Sequence, residues 1–266
     1  MNQANVAQRK SEVVIVASAF GADAIRRDGH AVWAAGASRA GACGFEVRRE
    51  LFRDEAQAQH EALRTLGERI GALGLWAVYS TPASLFAADG SLDDAALTQA
   101  IDEAAALGAR IVKLQLGGAP DGTATDAATL DRALTAISTS AARVVVENGQ
   151  LRAGGTIDAF AALFGALPRD ARALTMTFDT GNWLWAGESP ADAAKRLAPH
   201  VTYVHCKAVT GEGARRFATA PAADDAQFAA LLALLPRDVP RGIEFPFDAA
   251  APESDAAARV AWLAAA

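Results

Sequence analysis

The chain is 266 residues long, enough to bury one substantial core, and 52% of it is hydrophobic with charges spread throughout, a balance that argues against a disordered or membrane protein. Mean hydropathy barely above zero agrees with a soluble globular fold. A formal net charge of −6 offers no electrostatic footprint for a phosphate backbone, which sets nucleic acid aside as a partner.

The polar N-terminal tail, residues 1–11, leads straight into VVIVASAF, an apolar run too short to span a bilayer and lacking a following cleavage pattern. A cytoplasmic protein with no membrane partner is expected. From there, β-rich runs alternate with Ala/Leu-rich stretches of helical period, the pattern of parallel strands joined by crossover helices. In chain order the expected strand–helix units are 13–19 with 30–40, 43–48 with 54–73, 75–80 with 93–107, and 110–116 with 126–141. They continue as 143–148 with 156–167, 173–179 with 190–197, 200–207 with 224–235, and 241–246 with 252–264. Eight of each is the number that closes a (β/α)8 TIM barrel, an α/β fold, and no linker divides the chain, so a single domain over 1–266 is expected.

Asp54, Asp93, Asp126 and Asp224 can cap helix starts, Pro190 suits a first helical position, and Gly74 and Gly108 suit left-handed helix stops. The stretch 211–223 is the longest irregular one beside a strand end, readable as a lid or as a mobile surface loop. Cys43 and Cys206 lack the spacing of a disulfide framework, zinc knuckle or redox pair and read as packed thiols.

Period-two alternation turns polar near several strand ends. Tyr203, His205 and Lys207 share an inward register, as do Thr175, Thr177 and Asp179, while VVV precedes Glu147 and RGI precedes Glu244. Strands five to eight therefore end in Glu, Asp, His and Glu, at the face where barrel active sites lie. Three carboxylates around one pore repel each other and resist desolvation unless a cation balances them. A single divalent metal ion on Glu147, Asp179, His205 and Glu244 resolves this, with manganese foremost and magnesium, cobalt or zinc also suited to oxygen and imidazole donors. The alternative is a buried network of Glu, Asp, Lys and Arg without metal. Glu46, Arg48, Lys113, Gln115 and Lys207 share the inward register as candidate substrate contacts; Arg48 or Lys207 could hold a sugar-acid carboxylate, unless Arg48 instead pairs with Glu46 or Glu50. Trp183 and Trp185 could wall the pocket or pack in the outer layer.

The segments VVVENGQ, MTFDTGNWLW, YVHCKAV and GIEFPF resemble the xylose-isomerase-like barrels, which include ketose 3-epimerases, hydroxypyruvate isomerase, sugar-acid dehydratases and endonuclease IV. The resemblance covers all eight units. GFEVRRELF, DTGNWLW and VHCKAV are more narrowly similar to the epimerase branch associated with 2-ketogluconate utilisation. It implies the same four metal ligands, with Glu147 and Glu244 also moving protons as paired acid and base. The implied activity is epimerisation or isomerisation next to the carbonyl of a ketose or 2-keto sugar acid, through a metal-stabilised enediolate. Where the family often has His three residues after the aspartate, this chain has Asn182, which can bind a substrate oxygen but cannot titrate near neutral pH. The same metal also suits a sugar-acid dehydratase, whereas the histidine-rich sites of endonuclease IV do not fit a chain with four histidines. A non-catalytic sugar-binding barrel is the reading outside enzymology, and a homo-oligomer is left open.

Overall fold

In the computed structural model, which describes residues 11–118, 126–168 and 174–266, all eight β-rich runs form strands. These are β1 (Val13–Val16), β2 (Gly44–Arg48), β3 (Trp76–Phe86), β4 (Ile111–Gly117), β5 (Arg143–Glu147), β6 (Leu174–Asp179) and β7 (Val201–Cys206). After a hairpin of β8 (Ala208–Thr210) and β9 (Phe217–Thr219), β10 (Arg241–Ile243) completes the set. Each barrel strand pairs in parallel with its neighbours, and β10 pairs with both β7 and β1, so the sheet closes without an edge.

The expected helices form as α2 (His30–Arg39), α3 (His60–Ala72), α4 (Asp94–Leu107), α5 (Ala127–Ser138), α6 (Ile157–Ala166), α8 (Pro190–Leu197), α9 (Ala226–Ala233) and α10 (Pro252–Ala265). Asp93 and Asp126 accept the backbone N–H groups of Ala96 and Thr129, each at 2.9 Å, and Gly74 and Gly108 take the positive φ expected of helix stops. The cap of α9 is one residue later than expected: Asp225, not Asp224, accepts from Gln227 and Phe228.

Other departures have local causes. The first strand stops at Val16 because Ala17–Phe20 forms a 3-10 turn, and a further helix, α1 (Ala22–Asp28), lies between glycines of positive φ at 21 and 29. The helix expected over 54–73 is broken: Asp54 caps a 3-10 turn at Glu55–Ala58, and Gln59 is extended before α3 begins. β3 runs past Ser80 to Phe86, with a register shift against β4 between Ser80 and Ser84 around Pro82, which has no N–H for the ladder. Most of the stretch read as irregular is the β8–β9 hairpin, whose turn needs Gly211, since a Cβ there would run into the Arg215 carbonyl. The last strand ends at Ile243, leaving Glu244 just beyond it. Cys206 is buried, which pushes its thiol up to about 12, but Cys43 is exposed and not the packed thiol expected. Apart from Ser11, the polar tail lies outside the described residues, as does Ala173 at the start of the expected sixth strand. No helix of the described residues is long and apolar enough to cross a membrane.

Two apolar layers follow from the alternation. Met176, Phe178, Val204 and Cys206 join the large cluster between barrel and helices, whereas Val14, Trp76, Val78, Ile111, Val145 and Tyr203 fill the barrel interior as a separate plug. Gly44 makes room for that plug, since a Cβ there would meet the Trp76 ring at 2.9 Å. The plug closes the barrel from below and leaves its C-terminal mouth to polar side chains.

Candidate metal centre

Above the plug, one ligand atom from each of Glu147, Asp179, His205 and Glu244 lies within 4.8 Å of all the others. His205 Nδ1 is the focus, at 2.7 Å from Glu147 Oε1, 3.3 Å from Glu244 Oε2 and 3.8 Å from Asp179 Oδ2. Parallel register explains the convergence: His205 is paired with Asp179 on one side and Gly242 on the other, and Glu147 with Thr177. The strand ends therefore sit at neighbouring heights around one pore.

Each carboxylate is tethered through its other oxygen. Glu147 Oε2 receives Lys113 Nζ and, at 2.8 Å, Gln115 Nε2. Asp179 Oδ1 accepts the backbone N–H groups of Gly181 and Asn182, both at 2.8 Å, and so starts the short turn α7 (Trp183–Ala186), absent from the sequence expectations. Glu244 Oε1 receives Arg48 Nη1 at 2.6 Å. Lys207 Nζ lies 2.8 Å from both Glu244 Oε2 and Asp179 Oδ2, donating to the first and meeting the second without hydrogen-bond alignment. Glu147 Oε1, Asp179 Oδ2 and His205 Nδ1 are left buried without hydrogen-bond partners. Buried polar atoms without a hydrogen-bond partner are rare and costly, and here three face one point, with Asp179 Oδ2 held by the charge of Lys207 alone.

The charges agree. Among the described residues, Glu46, Glu147, Asp179 and Glu244, with the part-exposed Glu50, face Arg48, Lys113 and Lys207, so a neutral imidazole leaves a surplus of two negative charges. One divalent cation cancels it. Without such an ion the imbalance appears as displaced proton affinities. Burial, reinforced by Glu244 and Glu147 against the pull of Lys207, pushes Asp179 up to about 7. Burial also opposes ionisation of Glu147 and Glu244, but Lys113 and His205 hold the first, and Lys207 and His205 the second, well below the usual carboxylate range. Burial alone would lower His205, yet Glu46, Glu244 and Glu147 raise it well above its ordinary value.

The residues expected to meet substrate all border this group, in different ways. Glu46 and Lys113 have no exposed surface and sit beneath the mouth, behind His205 and Glu147. Arg48 turns its fork to Glu50, at 2.7 Å, and to Glu244, so both acids occupy the groups suggested for a substrate carboxylate. Asn182 donates to the Asn148 carbonyl at 2.8 Å, and Gln150 Nε2 reaches its Oδ1 at 3.4 Å. Asn148 clasps β5 to β6 by accepting the Asp179 N–H at 2.8 Å and donating to its carbonyl at 3.1 Å. Trp183 packs in the outer layer on Phe160 and Phe178, while Trp185 lies beside Lys207 at the mouth, 6.0 Å from Nζ to ring centroid. Tyr203, two residues before His205 in the same inward register, donates its hydroxyl to Glu46, a contact the sequence did not point to.

Residues 34–266 match the family model for the xylose isomerase-like TIM barrel, and the chain belongs to that family. No curated protein matches it by sequence. Among solved structures, a D-allulose 3-epimerase from a Methylomonas species is 17% identical with a TM-score of 0.64, covering 96% of this chain and 98% of its own. The probable 3-DHS dehydratase of Bacillus anthracis is 13% identical with a TM-score of 0.64, over 95% and 98%. The IOLI protein with a bound zinc atom is 11% identical with a TM-score of 0.69, over 95% and 96%. At these identities the likeness carries the fold alone.

Proposed function

We propose that this protein is a divalent-metal-dependent epimerase or isomerase acting next to the carbonyl of a ketose or 2-keto sugar acid. The observation that carries the reading is the convergence of three buried atoms without hydrogen-bond partners, on Glu147, Asp179 and His205, in a group whose carboxylates outnumber the cationic side chains beside them. Glu147, Asp179, His205 and Glu244 would hold the ion, manganese foremost. A bound divalent ion supplies Lewis acidity, polarising a carbonyl and offsetting the negative charge that develops as the neighbouring carbon loses its proton. A zinc atom in one structural neighbour and an epimerase activity printed for another agree with a divalent ion and with this class of reaction, without bearing on which ion it is.

The protein's own groups move the proton. Glu147 and Glu244 come from opposite ends of the β5-β6-β7-β10 arc and flank His205. On one carbon between them, one removes a proton and the other returns one to the opposite face, inverting the centre. Lys113 and Gln115 orient Glu147, and Arg48 with Lys207 orients Glu244, so four residues expected to touch substrate act here by aiming the two acids. Trp185 stands beside Lys207 where a sugar would enter. The similarity of GFEVRRELF and DTGNWLW to the 2-ketogluconate branch makes 2-keto sugar acids the first substrates to try.

The test is to incubate metal-loaded protein with ketoses, 2-keto sugar acids and their phosphates in deuterated water. Deuterium entering one carbon without loss of water is the expected result. Loss of water would instead identify a dehydratase, the activity printed for one structural neighbour; no exchange with any of them would favour a binding protein.

A further inference from the structure

We propose that Glu46 is a positioning residue that sets which nitrogen of His205 binds the metal, an inference that rests on the metal reading above. Glu46 has no exposed surface, and its Oε2 lies 2.8 Å from His205 Nε2. An ionised carboxylate only accepts hydrogen bonds, so the proton of the neutral imidazole resides on Nε2. Nδ1 then presents a lone pair, and it is Nδ1 that faces Glu147, Glu244 and Asp179. The reverse tautomer would set two lone pairs against each other at Glu46 and aim an N–H at the metal position.

The surroundings hold this arrangement still. Tyr203 donates its hydroxyl to the same Glu46 oxygen at 2.9 Å, and its ring packs edge-on to the imidazole with centroids 5.0 Å apart. Lys113 Nζ, 3.9 Å from Glu46 Oε1, keeps a positive charge beside the carboxylate. Gly242, paired with His205 across β7 and β10, leaves the space: a Cβ there would collide with the Tyr203 hydroxyl and lie 3.0 Å from His205 Cδ2. A carboxylate on the far nitrogen also raises the basicity of the ligating one, which strengthens the metal bond. The geometry thus gives Glu46 a purpose that its burial denies it as a substrate contact.

The test compares metal-free wild type with Glu46→Gln by calorimetric titration with manganese and zinc, alongside ¹⁵N NMR of the histidines in zinc-loaded wild type. We expect Glu46→Gln to bind metal about 10–100-fold more weakly, the usual loss when the partner of a ligating histidine is mutated, because an amide oxygen can accept from Nε2 but brings no charge to raise the basicity of Nδ1. We also expect the wild-type His205 to carry its proton on Nε2, with Nδ1 showing the shift of a metal-bound nitrogen. Wild-type binding with the variant within about twofold would overturn the inference and leave the metal reading standing. A proton on Nδ1 would do the same, and because that measurement needs no variant it decides the matter even if Glu46→Gln fails to fold. Failure of wild type to bind either ion would overturn both readings together.

Discussion

Lys113 provides the sharpest test of how the site is balanced. Its side chain is fully buried on β4, with the ammonium on Glu147 and 3.9 Å from Glu46. Lys113→Met keeps much of the stem volume and removes the charge, leaving Glu147 with only the Gln115 amide on its tethered oxygen. Breaking a buried ion pair from one side typically destabilises by about 3–5 kcal/mol. For a chain of this size that corresponds to a fall in Tm of roughly 6–20 °C. The assay is thermal unfolding of metal-free wild type and variant, repeated at saturating manganese. Because the ion would face the free oxygen of Glu147, metal should recover at least half of the loss. The pH dependence has a defined sign. Glu147 has a depressed folded-state pKa, so its contribution is present above the ordinary value of 4.5 and lost as pH falls toward the folded value. Removing Lys113 reduces the depression, so the gap between the proteins should be widest near neutrality and narrow in acid. A metal-free Tm within about 2 °C of wild type would refute the argument, because it would mean that Glu147 is balanced by something other than Lys113.

Three further outcomes follow from the same geometry. On the proposed mechanism, Glu147→Gln and Glu244→Gln would keep an oxygen for the metal but lose the base, so at matched metal occupancy each should lose about 10²–10⁴-fold in inversion rate, and near-wild-type inversion by either would reduce its glutamate to a ligand. Asp179 is raised from 3.8 to about 7, so the folded metal-free protein becomes less stable as pH rises through that window, and the penalty is fully present above it. Asp179→Asn keeps the acceptor for Gly181 and Asn182 without the charge. It should therefore bind metal poorly yet have a higher metal-free Tm than wild type at about pH 8, and a lower Tm there would contradict the raised carboxyl. Gly242→Ala forces a methyl group against the Tyr203 hydroxyl and His205; a loss of about 1–3 kcal/mol together with weaker metal binding is expected, and a Tm change without any change in metal affinity would detach Gly242 from the site.

The sequence by itself determined the barrel and the four convergent strand ends, because both depend on local periodicity. Apolar alternation marked each strand, helical period each crossover, and inward register made Glu147, Asp179, His205 and Glu244 neighbours once the sheet closed. Features that depend on a few backbone angles were less legible: the break at Gln59, the turn of α7 and the hairpin at 208–219 each rest on one glycine, cap or extended residue within an unremarkable composition. What only the tertiary structure decided is how the polar residues share their partners. The inward register of Glu46, Arg48, Lys113 and Gln115 gave no sign of which would be sealed beneath the mouth and which would aim a neighbouring acid. That depends on depth along the pore and on the reach of each side chain across it. Glu46 meets His205 and Tyr203, 159 and 157 residues away, only because β2 and β7 face the same closed interior. Strand alternation assigns a side to each residue; distances across the barrel, set by closure, assign it a partner.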